Sequence, residues 1–130
     1  MSKIKSISTI NAPAALGPYS QAIRAGGFIY ISGQIPLVPE TMEIVSSDFN
    51  KQVIQVFNNL KAIIEESGAS ISNTVKINVY LKDLSNFQKV NSIMEEFFIE
   101  KPFPARAAVE VSRLPKDVDI EMDAVVFDDD

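Results

Sequence analysis

No cysteine and no histidine occur among the 130 residues, and tryptophan is absent too. Without cysteine the chain has no disulfide, no thiol nucleophile and no thiolate metal site. Without histidine it lacks the commonest metal ligand and the side chain best matched to proton transfer near neutral pH. Structural zinc and any triad built on a histidine base are excluded together. No run approaches the roughly 18 apolar residues of a membrane span, and the first residues, MSKIKSISTI, lack the apolar block of a signal peptide. A cytoplasmic protein is expected. Positive charge is also short: 12 Lys+Arg stand against 17 Asp+Glu, a net charge of -5. That sign disfavours general binding to nucleic acid or to anionic membranes.

What is present suits a folded domain. The hydrophobic fraction is 46%, ordinary for a soluble globular protein. A chain of this length is expected to form one domain over residues 1–130 and to bury roughly two-thirds of its unfolded surface. From Phe49 to Ile64 the apolar residues Phe49, Val53, Val56, Phe57, Leu60, Ile63 and Ile64 recur at gaps compatible with one helix face. Ser47 or Asp48 is available as its N-cap and Gly68 as its stop. Ser85-Asn86-Phe87-Gln88 has the form of a capping box and opens a second helix, with Phe87, Val90, Met94, Phe97 and Phe98 inward and Pro102 limiting its extent.

Strands are expected over Thr74–Asp83, Asp119–Phe127 and Phe28–Gln34, with a weaker one near Ile4–Ile10 and another over Ala105–Ser112. This order predicts an α+β fold, two helices on one face of a mixed sheet. The other face carries residues such as Tyr80 and Phe127, which favour a covering partner over open water. The acidic tail Asp128-Asp129-Asp130 is expected to be solvated.

Several residues are candidates for chemistry. Alternation in Ala105–Ser112 puts Ala107, Val109 and Val111 on the core side and turns Arg106, Ala108, Glu110 and Ser112 away. Arg106 then reads in two ways. It is a surface arginine paired with Glu110, or a planar fork for a carboxylate or phosphate, with Ala108 leaving room at its flank. Glu121 follows the turn Leu114–Asp117, and neighbouring strands would bring it towards the Arg106 end of the sheet. It is either a solvated outward residue or an enclosed carboxylate that holds or deprotonates a water. Gly17-Pro18 marks a turn presenting Tyr19. Ser32-Gly33 closes a strand, where the glycine either admits a ligand to backbone N–H groups or marks a bulge. Asn91 is an exposed residue or a polar contact on an otherwise apolar helix.

Taken together, GPYSQA, ISGQIP, NLKAIIEESGAS, FQKVNSIMEEFF and PARAAVEVSRLPKDVDIEMDA resemble, in order and spacing, the reactive intermediate deaminase (Rid) family in its imine-deaminase branch, from about Ile10 to Val126. The resemblance implies a chorismate-mutase-like fold in which three chains close their sheets into a barrel, with sites in clefts between subunits. It implies hydrolysis of 2-imino acids, such as 2-iminopropanoate and 2-iminobutanoate, to 2-oxo acids and ammonia, with no cofactor. Such imines are released by pyridoxal-phosphate enzymes, among them threonine and serine dehydratases.

By the same resemblance Arg106 grips the substrate carboxylate and Glu121 positions the attacking water. Tyr19, Ser32 and Gly33 line the cleft, Asn91 lies near it, and the backbone carbonyl of Ala108 helps hold water or imine. Two positions depart from the pattern: Ala108 stands where many relatives carry cysteine, and Met42 where they often have a turn glycine. Alternatives are an RNA-directed role, since some relatives carry translation-inhibitor or endoribonuclease names, and a non-catalytic binder of small carboxylates.

Overall fold

In the computed structural model, which describes residues 3–128, six strands form one sheet: β1 (Lys5–Ile7), β2 (Ala22–Ala25), β3 (Phe28–Gln34), β4 (Thr74–Leu81), β5 (Ala105–Glu110) and β6 (Ile120–Phe127). Their order is β1-β2-β3-β6-β4-β5. Every neighbouring pair is antiparallel except β4 and β5, which run parallel. Helix α1 (Phe49–Glu66) connects β3 to β4, and α2 (Phe87–Phe97) connects β4 to β5. A parallel pair requires such a crossover. The expected α+β architecture, a mixed sheet with two helices, is what the chain adopts, and the short strand β2 is the element the sequence pattern missed.

The core lies between the helices and one sheet face. Ile29 and Ile31, Ile77, Val79 and Leu81, and Ile120, Met122, Ala124 and Val126 point into it from the strands. Val53, Val56, Phe57, Leu60, Ile63 and Ile64 meet them from α1. Phe57 stacks on Phe97, ring centroids 4.6 Å apart, and meets Phe98 edge-on at 6.0 Å, which ties α1 to α2. Asp48 caps α1 by accepting the Lys51 N–H at 3.0 Å, and Gly68 follows the helix at a φ of 87°.

Three expectations are corrected. The capping box does not form: the Ser85 N–H and hydroxyl both donate to Asp83 Oδ1, at 3.0 and 2.7 Å. A 3-10 turn over Leu84–Asn86 intervenes before α2, because this local Asp83 turn competes for the same groups. Alternation along Thr74–Asp83 groups Val75 with Ile77, Val79 and Leu81 as inward residues, yet Val75 points outward, 41% exposed, since the β4–β6 register shifts between Thr74 and Lys76 and Thr74 takes the buried position. Asp128 is not a solvated tail residue: it is buried and ion-paired with Arg24, and its N–H donates to the Gly27 carbonyl at 2.8 Å. Asp129 and Asp130 lie outside the described residues.

Candidate functional site

The strand carrying Arg106 faces the other way from its sequence parity. Arg106, Ala108 and Glu110 lie opposite Ile77, Val79 and Leu81 of β4, and those three are core residues. Ala108 accordingly packs against the core, while Val109 is 46% exposed on the far face. Small residues on both sides of a lightly buried edge strand made the valines look like the core side.

Arg106, at the start of this edge strand, reaches α2. Its Nη1 donates to Asn91 Oδ1 and also approaches Met94 Sδ at 3.6 Å. Glu110 is not its partner; Glu110 Oε1 accepts the Leu84 N–H at 3.0 Å instead. With Nη1 engaged, Nε and Nη2 have no partner among the described residues. The guanidinium borders a cleft of about 440 Å³, with Asn91, Met94, Phe103 and Pro104 among its walls. The arrangement suits capture of a small carboxylate: one nitrogen anchors the fork and the remaining edge offers two parallel donors.

A second constellation occupies the opposite sheet face. Glu121 lies across from Tyr80 on β4, so it is one step out of phase with the core residues Val79 and Met122. On its other side the β3–β6 register shifts between Ile31 and Gln34, and Gly33 sits in that bulge. A Cβ on Gly33 would overlap Glu121 Oε2 and lie 3.0 Å from its Cδ, so the missing side chain is what lets the carboxylate tuck in. Of the two sequence readings of Gly33, the bulge is the one the register shows; the close approach at this glycine is made by the chain's own Glu121 carboxylate. Glu121 is half-buried, and burial first, then the negative charge of Asp123, raise its pKa above the ordinary glutamate value. No protein group donates to it among the described residues.

Gly33 also lines a cleft of about 300 Å³ that includes Leu16, Tyr19, Gln21, Met42 and Lys116. Tyr19 is 54% exposed at its rim. Ser32 has its hydroxyl donated to the Ser20 carbonyl at 2.6 Å, which joins the ISGQIP and GPYSQA segments.

The chain therefore assembles two groupings. Arg106, Asn91 and Ala108 belong to the helix-covered side of the β5 edge; Tyr19, Ser32, Gly33 and Glu121 belong to the far side. Glu121 does not approach Arg106 within one chain, because β6 takes the antiparallel place between β3 and β4 and leaves β5 beyond β4.

Three polar residues that sequence reasoning passed over brace loop segments near the second grouping. Gln21 accepts the Thr9 N–H at 2.7 Å and donates to the Pro13 carbonyl at 2.8 Å. Asn59 donates to the Leu37 carbonyl at 3.0 Å. Gln52 donates to the Ser46 carbonyl at 2.9 Å and accepts the Asp119 N–H, also at 2.9 Å. All three side chains are buried. The signal for Gln52 and Asn59 was their place on the apolar face of α1, where an amide must serve backbone groups.

Fold and clefts together define a class: an α+β protein with a mixed sheet, two crossover helices and a guanidinium bordering a cleft sized for a small anion. The chain belongs to the family described as endoribonuclease L-PSP, whose model matches residues 9–127, the Rid family that the sequence blocks resemble. It is 56% identical to a RutC family protein of Pyrococcus abyssi over 93% of this chain and 94% of that one. It is 50% identical to the 2-iminobutanoate/2-iminopropanoate deaminase of Escherichia coli K12, over 93% and 95% respectively. Among solved structures, E. coli TdcF with bound serine superposes with a TM-score of 0.90 at 39% identity, covering 95% of this chain and 98% of that one.

Proposed function

We propose that the protein hydrolyses 2-imino acids, 2-iminopropanoate and 2-iminobutanoate, to 2-oxo acids and ammonia, at clefts shared between copies of a homotrimer. The observation that carries this reading is the Arg106 fork, fixed on one nitrogen by Asn91 and open on its remaining edge. A fork so held matches a carboxylate in both charge and geometry. The E. coli deaminase and the serine-bound TdcF support the same choice of small carboxylate.

The chemistry asks little of the protein. The carbon of a protonated imine is already electrophilic. Arg106 fixes the substrate carboxylate, and Glu121 orients a water and takes its proton as the oxygen adds to C2. The resulting carbinolamine expels ammonia, its nitrogen carrying away the C–N electron pair and a proton, and the 2-oxo acid remains. A raised pKa on Glu121 moves it towards the range useful for a base near neutral pH. The Ala108 carbonyl is a further acceptor for water or imine. Nothing in this scheme needs the thiol that cysteine would place at position 108.

A shared cleft reconciles the two groupings, since Arg106 of one copy can face Glu121, Tyr19, Ser32 and Gly33 of another. The sheet face opposite the helices favours such packing: Tyr30, Val75, Val109 and Phe127 are between 41% and 49% exposed there. Three sheets closing into a barrel would cover them. The source of the imine would be a pyridoxal-phosphate dehydratase acting on threonine or serine. RNA cleavage, suggested by the family's description, is disfavoured by the net charge of -5 and the absence of histidine.

The test couples a threonine dehydratase to 2-oxobutanoate or ammonia release. Wild-type protein should accelerate release, and Arg106→Lys should fail nearly as badly as Arg106→Ala, because an ammonium keeps the charge but not the fork. The loss should reach roughly tenfold or more, given the roughly 1.5–3 kcal/mol of a hydrogen bond to a charged group. Near-normal hydrolysis by the lysine variant counts against the assigned role.

A further inference from the structure

Asp123 and Glu121 sit two residues apart on β6, on the same sheet face, yet their carboxylates turn in opposite directions. Glu121 leans towards β3 and fills the space over Gly33. Asp123 leans towards β4, where Oδ1 accepts from Asn78 Nδ2 at 2.8 Å and Oδ2 accepts from the Tyr80 hydroxyl at 2.9 Å. The second bond is diagonal. The strand partner directly across from Tyr80 is Glu121, and that of Asp123 is Asn78. The phenol thus passes over the carboxylate of its cross-strand partner to reach the one two residues on.

We propose that Asp123 is a positioning residue for Glu121: by engaging the Tyr80 hydroxyl and the Asn78 amide it keeps both donors off the Glu121 carboxylate and leaves that group turned over Gly33. Were Asp123 not an anion, the Tyr80 hydroxyl would turn to Glu121 as the remaining carboxylate on that face. A donated hydrogen bond stabilises the charged form of a carboxylate and occupies a lone pair that a water would otherwise use. Asp123 therefore protects both the basicity of Glu121 and its free acceptor sites.

Asp123 faces Glu121 from its own strand and Tyr80 from β4, while the facing β3 positions, Ser32 and Gly33, do not titrate. Tyr19 and Lys116 border the cleft at Gly33 and are the same in every variant compared. Lys82, further along β4, is turned to the Ser112 carbonyl at 2.7 Å. In the shared cleft, Arg106 of a second copy adds a charge that does not change with pH and so acts alike on every variant compared.

This inference rests on Glu121 being the water-holding base, and its test separates the two claims. Carboxyl-carbon NMR follows the titration of Glu121 in wild-type protein, Asp123→Asn, Asp123→Asn/Tyr80→Phe and Asp123→Glu, each checked for native circular dichroism. In Asp123→Asn the midpoint should move to lower pH. Adding Tyr80→Phe should recover part of that shift, which loss of a neighbouring charge alone does not allow. Asp123→Glu, which keeps an anionic acceptor, should stay nearer the wild-type midpoint than Asp123→Asn does.

An unmoved midpoint in Asp123→Asn, or a double variant that titrates like the single one, overturns the proposal. In the imine assay, Asp123→Asn should lower kcat roughly three- to tenfold with KM little changed, in line with a weakened general base; a change confined to KM also counts against it. Glu121→Gln tests the underlying reading separately: if it retains full hydrolysis, Glu121 is not the base, whatever the titrations give.

Discussion

Arg106 and Glu121 illustrate opposite ways of preparing a side chain. Arg106 is held through one nitrogen by Asn91 and Met94 of α2, so the fork is oriented before any ligand arrives. Glu121 receives no donor among the described residues and is half-buried beside Asp123, both of which work against its charge. That arrangement has a linkage consequence with a definite sign. A carboxyl whose folded pKa is raised contributes stability below its unfolded pKa, and that contribution is lost as pH rises through the folded value. Wild-type protein should therefore be penalised at neutral pH relative to Glu121→Gln. The glutamine variant is expected to melt at higher temperature near pH 7, with the difference shrinking in acid, while imine hydrolysis falls. Thermal melts across that pH range check it; a glutamine variant less stable at pH 7 would contradict the burial argument. The residue types at this site could be read in the sequence, but the side of the sheet could not. Alternation in PARAAVEV turned Arg106 away from the helices, whereas its register opposite Ile77 turns it towards them. Valine on an edge strand reports an apolar neighbour without saying whether that neighbour belongs to the same chain.

The elements were legible where one face is buried and the other wet. Helix α1 and strands β3, β4 and β6 have the expected positions to within two residues, β4 ending at Leu81 rather than Asp83. The three-residue β1 and four-residue β2 carry too little alternation to define their limits. The loop between β3 and α1 depends on amides rather than apolar pattern: Asn59 and Gln52 peg it to α1 through the Leu37 and Ser46 carbonyls. Within that loop, Met42 has a φ of 60°, and its N–H donates to the Val38 carbonyl at 2.7 Å. Left-handed backbone explains why a glycine suits this turn, since a Cβ there costs roughly 1 kcal/mol. Met42→Gly is accordingly expected to raise stability by about 0.5–1 kcal/mol, read as a higher midpoint in urea unfolding with unchanged slope. A lower midpoint would mean that the methionine side chain contributes more by packing in the cleft than its backbone strain takes away.

At the scale of the whole molecule, one chain divides its candidate site between the two faces of its sheet. Arg106 belongs to the helix side of the β5 edge and Glu121 to the face bearing exposed Tyr30, Val109 and Phe127. The proposed shared cleft draws support from the strand order: β4 lies between the strands that carry the two residues. The most direct measurement is therefore subunit mixing. Arg106→Ala and Glu121→Gln, each inactive alone, are unfolded together in equal amounts, refolded and assayed for imine hydrolysis. With each site built from one copy's Arg106 and another's Glu121, random assortment leaves about a quarter of the sites intact. Recovery of roughly a quarter of wild-type activity is expected. Mixed oligomers, verified by mass spectrometry, that stay as inactive as their parents would contradict the shared cleft.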